Sequence, residues 1–494
     1  MTVKKISKLL MLGTGLVTLA SCGSETSNMT GWNYNDPKNG GYQVTDYVEQ
    51  ETGPGLILVE GGTFVMGRAE QDVLYDWNNV PRRITVSSFY MDETEVTNTN
   101  YREYVYWLGR VFGADYPEVG KKALPDTLVW RDKLAYMENY VEYYFRHPAH
   151  NDYPVVGINW TQANDFCAWR TDRVNEFIMV REGLFDFDPA SWQNENNFNT
   201  DAYLAGQYEG TVKVLMPDLN PTSAGERKVR MEDGILLPKY RLPTEAEWEF
   251  AAYGLLGNSV SERIVERKIY PWNGHYVRND DEQYIGMIRA NFMRGRGDNM
   301  GVAGSLNDNA DVTAPVTQYW PNDYGLYNMA GNVSEWVMDV YRPLTNEDAA
   351  EFRSFRGNTY KTQVRDEEGA IAEKDSLGRI RYRNVELEKD NLAERRNYRK
   401  ADNINFQDGD IESSTSYGSP PEDAEKVEKV MYDFGVTSLI NDKAHVIKGG
   451  SWKDRAYWLS PGTRRFLDEK QSTSWLGFRC AMVRVGSPRG LGSN

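Results

Sequence analysis

The chain has 494 residues, with 72 acidic against 56 basic side chains and a formal net charge of −16. That balance, with no long Lys/Arg block, excludes a nucleic-acid partner, which needs a basic stripe to neutralise phosphates. Hydrophobic residues at 40% and charged residues at 26% describe a globular chain, and three cysteines are too few for a disulfide scaffold or a zinc ribbon.

Residues 1–21 read as a secretory signal. Lys4, Lys5 and Lys8 precede an apolar run at 9–19, too short for the roughly 20 residues that cross a bilayer. Leu19-Ala20-Ser21-Cys22 resembles a bacterial lipobox, so Cys22 is the expected acylation site and lipid the expected anchor. Gly23, where an Asp would signal inner-membrane retention, points to the periplasmic face of the outer membrane. With Cys22 acylated, Cys167 and Cys480 remain. They form either one long-range bridge, on the order of 4–5 kcal/mol by loop entropy, or two buried thiols.

Residues 22–52 are polar and Gly/Asn-rich, suiting a tether, and the folded body is expected over 53–486 with a short tail at 487–494. Leu56-Ile57-Leu58-Val59 and Thr63-Phe64-Val65-Met66 flank Gly61-Gly62 and read as a hairpin, with a third strand at 83–90. Thr97 or Asn98 offers an N-cap for a helix to about Leu108, and Trp160 starts another running toward Glu182. Thr244, with Glu247 three residues on, predicts a capping box for a short helix to Ala252. Segments 186–238 and 345–445 look inserted and are poor in aliphatic residues, so neither is expected to bury a core alone.

Seven motifs occur in register. They are Glu60-Gly61-Gly62-Thr63-Phe64-Val65-Met66-Gly67, Asp92-Glu93-Thr94-Glu95-Val96, Gly157-Ile158-Asn159-Trp160, Arg241-Leu242-Pro243-Thr244-Glu245, Asn328-Met329-Ala330-Gly331-Asn332-Val333-Ser334-Glu335-Trp336, Gly449-Gly450-Ser451-Trp452 and Gly477-Phe478-Arg479-Cys480. Together they resemble the formylglycine-generating enzyme, or sulfatase-modifying factor, family. The resemblance implies an α+β, loop-rich, C-type-lectin-like domain with insertions. In the enzymes two cysteines after the Gly-Gly-Ser motif bind copper, because soft thiolates select Cu(I). Here the matching positions are Asp454 and Leu459, so the resemblance implies a pseudoenzyme without copper. It also implies a Cys167–Cys480 disulfide. Two structural calcium sites come with it, one at Asn328, Gly331, Val333 and Glu335, the other at Asn291, Phe292, Asp308 and Ala310, offering the oxygen ligands a hard cation takes.

A second resemblance, to gliding-motility lipoproteins of Bacteroidota, is carried by Gly31-Trp32-Asn33-Tyr34-Asn35-Asp36-Pro37, Asp126-Thr127-Leu128-Val129-Trp130-Arg131 and Trp452-Lys453-Asp454-Arg455-Ala456-Tyr457-Trp458. It implies a non-catalytic scaffold of type IX secretion that docks to the machine's ring-forming lipoprotein and associated periplasmic subunits. Two alternatives stand beside it: an enzyme with non-copper chemistry around Asp454 and Arg455, and a glycan or peptide receptor using a tryptophan-lined groove. His147 and His150 are weak metal candidates, since Pro148 blocks the helix that would align them. The aromatics Trp32, Trp77, Trp130 and Trp458 read as packing residues more readily than as ligand contacts.

Overall fold

The strands of the two four-stranded sheets pair largely across long sequence separations. The computed structural model describes residues 26–68, 79, 81–190, 192–254, 268–295, 310–341, 361–384 and 443–486. Leu56–Val59 (β1) pairs antiparallel with Phe89–Asp92 (β4). The sheet continues through Ala481–Val483 (β14) to Tyr240–Arg241 (β7). Gly62–Met66 (β2) pairs instead with Arg82–Val86 (β3). The expected hairpin therefore does not form, and the expected third strand is two strands broken at Ser87-Ser88. Gly61 explains the correction: a Cβ there would lie 2.4 Å from the Val86 carbonyl oxygen, so the backbone crosses between two sheets at close approach.

The second four-stranded sheet runs β12-β11-β8-β13, from Arg465–Asp468 (β12) and Ala444–Lys448 (β11) to Ser334–Val340 (β8) and Leu476–Gly477 (β13). Its last pairing is parallel and the other two antiparallel. The helices are Asn98–Phe112 (α1), Pro117–Ala123 (α2), Glu138–Tyr143 (α3), Trp160–Arg181 (α4), Thr200–Leu204 (α5) and Glu245–Tyr253 (α6). In α6 the capping box is present, with Thr244 Oγ1 accepting from Glu247 N at 3.2 Å and Glu247 Oε2 accepting from Thr244 N at 2.9 Å. Gly254, left-handed at φ 55°, ends the helix. α6 lays Trp248, Phe250 and Ala251 against Phe64, Ile84, Val337 and Val446, which forms the main core.

Two compact units emerge. The larger takes 51–175, 188–210 and the described residues from 237 onward. Within it Phe198, Tyr203 and Tyr208, from the first inserted segment, pack ring against ring and are each under 5% exposed. Aromatic burial thus replaces the aliphatic core that this segment lacks. Lys361–Gln363 (β9) and Tyr382–Asn384 (β10), from the second inserted segment, form a ribbon. Gln207 joins the two segments by donating to the Ile371 and Ala372 carbonyls and accepting from Lys374 N.

The smaller unit takes the described residues before 51 together with 176–187 and 211–236. The stretch read as a tether is ordered from Thr26, which bridges Asn33. Asn35 then pairs through backbone and side chain with Tyr42 and Val44. Gly41 at φ 71° lies so close to the Leu219 backbone that a Cβ would stand 1.8 Å from its oxygen, and Gln43 donates to Pro217 O. Met216–Pro217 (β5) pairs with Glu226–Arg227 (β6), and Arg227 holds Asp233 in a bidentate pair. No described helix is long and apolar enough to cross a membrane.

Candidate functional site

The Gly449-Gly450-Ser451 turn leaves β11 through two left-handed glycines, φ 93° and 67°. At Gly450 a Cβ would meet the Trp458 carbonyl at 2.8 Å, so only glycine lets the following loop fold back this tightly. The turn delivers Asp454 to Arg465 on β12. Arg465 Nη1 and Nη2 donate to Asp454 Oδ1 and Oδ2 at 2.7 and 2.6 Å, a bidentate pair whose side chains are 22% and 13% exposed. Ser451 Oγ donates to Asp454 Oδ2 at 2.6 Å, and Arg465 Nη2 also donates to Ser334 Oγ at 3.0 Å. The guanidinium lies over the rings of Trp458 at 4.5 Å and Trp475 at 5.0 Å.

Leu459 closes the other side. It is fully buried among Ile288, Ala290, Phe292 and Ala330. Asp454 therefore has both oxygens engaged by a cation, and Leu459 offers no donor atom. The arrangement can hold a loop in place; it offers neither a free base nor a soft metal ligand. Arg455 is exposed and points its Nη1 at the Arg294 carbonyl, 3.5 Å away, so it does not join Asp454 in an acid–base pair.

Cys167 on α4 and Cys480 beside β14 stand side by side as buried free thiols with Sγ atoms 3.3 Å apart; the disulfide that the resemblance implies is not formed between them here. Burial pushes the Cys480 thiol well above its usual range. Arg170 and the Cys480 amide both donate to Asp92 Oδ2 at 2.8 Å, which fixes the helix and strand that carry the pair.

At the first expected calcium set, the Glu335 carboxylate is fully buried and taken by Arg479, whose Nε and Nη2 donate at 2.7 Å each, and by Trp248 Nε1 at 2.8 Å. Asn328 spends its amide nitrogen on Glu95 and the Val316 carbonyl. The charge of the one anionic member of the set is balanced by a guanidinium, so Asn328, Gly331, Val333 and Glu335 do not fit calcium in this arrangement. Of the second set, Asp308 lies outside the described residues, while Asn291 donates to Val312 O, and Phe292 and Ala310 are buried.

Several residues that matter here do not stand out as site residues in the sequence, although Glu95 and Asn332 lie within its motifs. Asn332 is a hub: its Oδ1 accepts from Ala314 N and its Nδ2 donates to Glu95 and Ala314 O. Glu95 is wholly buried between Asn328 and Asn332, and burial, the largest influence, raises its pKa to about 8. Arg479 pulls in the opposite direction and Glu335 adds to the rise. Arg465 sits in Thr463-Arg464-Arg465, where nothing in the pattern separates it from Arg464.

Of the weaker candidates, the two histidines and Trp130 resolve as packing or local caps. His147 Nδ1 accepts from Ala149 N as a local cap, and His150 lies among Tyr144 and Tyr153. Trp130 is buried and stacked on Trp452, Trp458 lies under Arg465, Trp32 is exposed and Trp77 lies outside the described residues. A cleft under Trp272, Tyr319 and Trp320 has room of about 20 Å³, one water's worth and too little for a sugar or peptide.

A family model, the sulfatase-modifying factor enzyme 1-like domain, matches residues 42–382. The chain belongs to that family. Relatives of this sulfatase-modifying-factor chain include active and inactive proteins. The formylglycine-generating enzyme of Mycobacterium tuberculosis is 37% identical over 300 residues, covering 58% of this chain and 75% of that one. The mouse formylglycine-generating enzyme is 26% identical over 284 residues, 58% of each chain, so this chain spans under three fifths of that relative. The mouse inactive C-alpha-formylglycine-generating enzyme 2 is 24% identical over 315 residues, covering 59% of this chain and 70% of that one. Among solved structures, PvdO from Pseudomonas aeruginosa aligns over 86% of this chain and 93% of its own, at 15% identity and a TM-score of 0.40.

Proposed function

We propose that this sulfatase-modifying-factor chain is a non-catalytic scaffold: a lipoprotein of the GldJ type, acylated at Cys22, on the periplasmic face of the outer membrane. There it docks to the ring-forming lipoprotein of type IX secretion and supports gliding in cells that glide. The observation that carries the non-catalytic part is the Asp454–Arg465 pair beside a buried Leu459, in the place where the resemblance expects a thiolate pair. An inactive relative in the same family supports that reading. The secretion role rests on the motifs around Trp32, Trp130 and Trp452. In an oxidising compartment Cys167 and Cys480 join as a disulfide, and any calcium belongs to the Asn291 set.

Affinity purification from cross-linked outer membranes tests the role. The ring-forming lipoprotein is expected to co-purify. A clean chain from membranes in which that ring is intact would sink the scaffold reading. Turnover of a cysteine-containing peptide to formylglycine by the purified protein would sink the non-catalytic reading.

A further inference from the structure

Three residues close to the expected anchor are exposed although they are large and apolar. Met29 is 87% exposed, Trp32 61% and Tyr42 68%. They belong to ordered backbone: Ser27 N donates to Trp32 O and Gly31 N to Ser27 O, both at 2.9 Å, so the loop returns Trp32 to the side of Ser27. The Tyr42 ring packs edge-on against Tyr34 at 5.7 Å, which keeps it fixed without covering it.

Ser27 follows Cys22 by five residues. A chain of that length spans at most about 18 Å. The headgroup layer on each side of a bilayer is roughly 5–8 Å deep. An acylated Cys22 therefore holds the 27–32 loop at the membrane surface, where the amphipathic rings of Trp and Tyr are most stable.

We propose that this loop rests on the lipid surface, with Met29, Trp32 and Tyr42 in the headgroup layer, and so orients the small unit on the membrane. The inference rests on the lipid-anchored reading above. Around the loop Asp36, Asp46 and Glu49 outnumber Lys38, so no basic cluster selects anionic lipid. The contact is apolar and interfacial, independent of salt and of headgroup charge. Anchoring itself belongs to the acyl chains, and the aromatic contact sets depth and orientation.

The test uses the full-length protein purified with its lipid and reconstituted in phosphatidylcholine vesicles whose acyl chains are brominated near the headgroup. Tryptophan quenching is compared between the native chain and Trp32→Phe, and intact mass reports acylation of Cys22. The expected result is quenching in the native chain, loss of most of it in Trp32→Phe, no release of either from vesicles, and no change with added salt or anionic lipid. A photoreactive residue at Met29 is expected to label lipid in cells. An acylated, vesicle-bound chain with the same quenching in both forms, or Met29 labelling protein alone, overturns the inference and leaves the anchor standing. A mass without acyl groups on Cys22 overturns the anchored reading and the inference with it.

Discussion

Arg465 gives the most direct test of the candidate site by a single change. Its charge is neutralised by Asp454 and lies within 5.0 Å of two indole rings, so Arg465→Ala leaves a mostly buried carboxylate without its partner. The expected cost is about 3 kcal/mol, read as a lower midpoint in urea unfolding. Changing Asp454 and Arg465 together to alanine is expected to cost less than the two single changes added, since neither charge is then stranded. Additivity in that cycle would mean the pair is not coupled. Glu95 gives a separate test. Its pKa of about 8 when folded, against an ordinary 4.5, means the folded state holds a proton that the unfolded chain gives up. Its contribution is complete below about pH 4.5 and is lost as pH rises through about 8. Melting temperature is expected to fall across that window, and to fall less in Glu95→Gln. At this scale the sequence made Asp454 and Leu459 legible, because the Gly-Gly-Ser motif numbers them. It did not show Arg465, which reaches the Asp454 loop from eleven residues away on β12, nor Asn332, whose role depends on three separate segments meeting.

Among the elements, local signals were readable and long-range ones were not. Thr244 and Glu247 predict their own helix start, since a capping box involves only four consecutive residues. Thr244→Ala is expected to cost about 1 kcal/mol in the same unfolding measurement. β1 and β2 were legible as strands but not as partners in different sheets, because Gly61-Gly62 reads equally as a hairpin turn and as a crossover. The inserted segments show the same limit: their contact through Gln207 spans more than 160 residues. Gln207→Ala is expected to speed amide exchange around residues 371–374 while leaving the global melting temperature nearly unchanged. A large fall in melting temperature would mean that the joined segments belong to the cooperative core.

For the whole molecule, a core built on family motifs surrounds an ionic contact, Asp454 with Arg465, at the place where the resemblance expects the copper-binding cysteines. Both cysteines left after Cys22 face each other, buried and 3.3 Å apart at sulfur, so on the proposed reading they join as a disulfide in an oxidising compartment and leave no thiol for chemistry. Denatured, unreduced protein is expected to show no free thiol, and reduction to lower the melting temperature. The measurement that bears most directly on the scaffold reading is secretion of type IX cargo in a deletion strain carrying Asp454→Ala/Arg465→Ala at normal, folded levels. Full secretion is the expected result, because on the proposed reading the pair only holds a loop in place. Loss of secretion, with the protein folded and still bound to its ring partner, would contradict it.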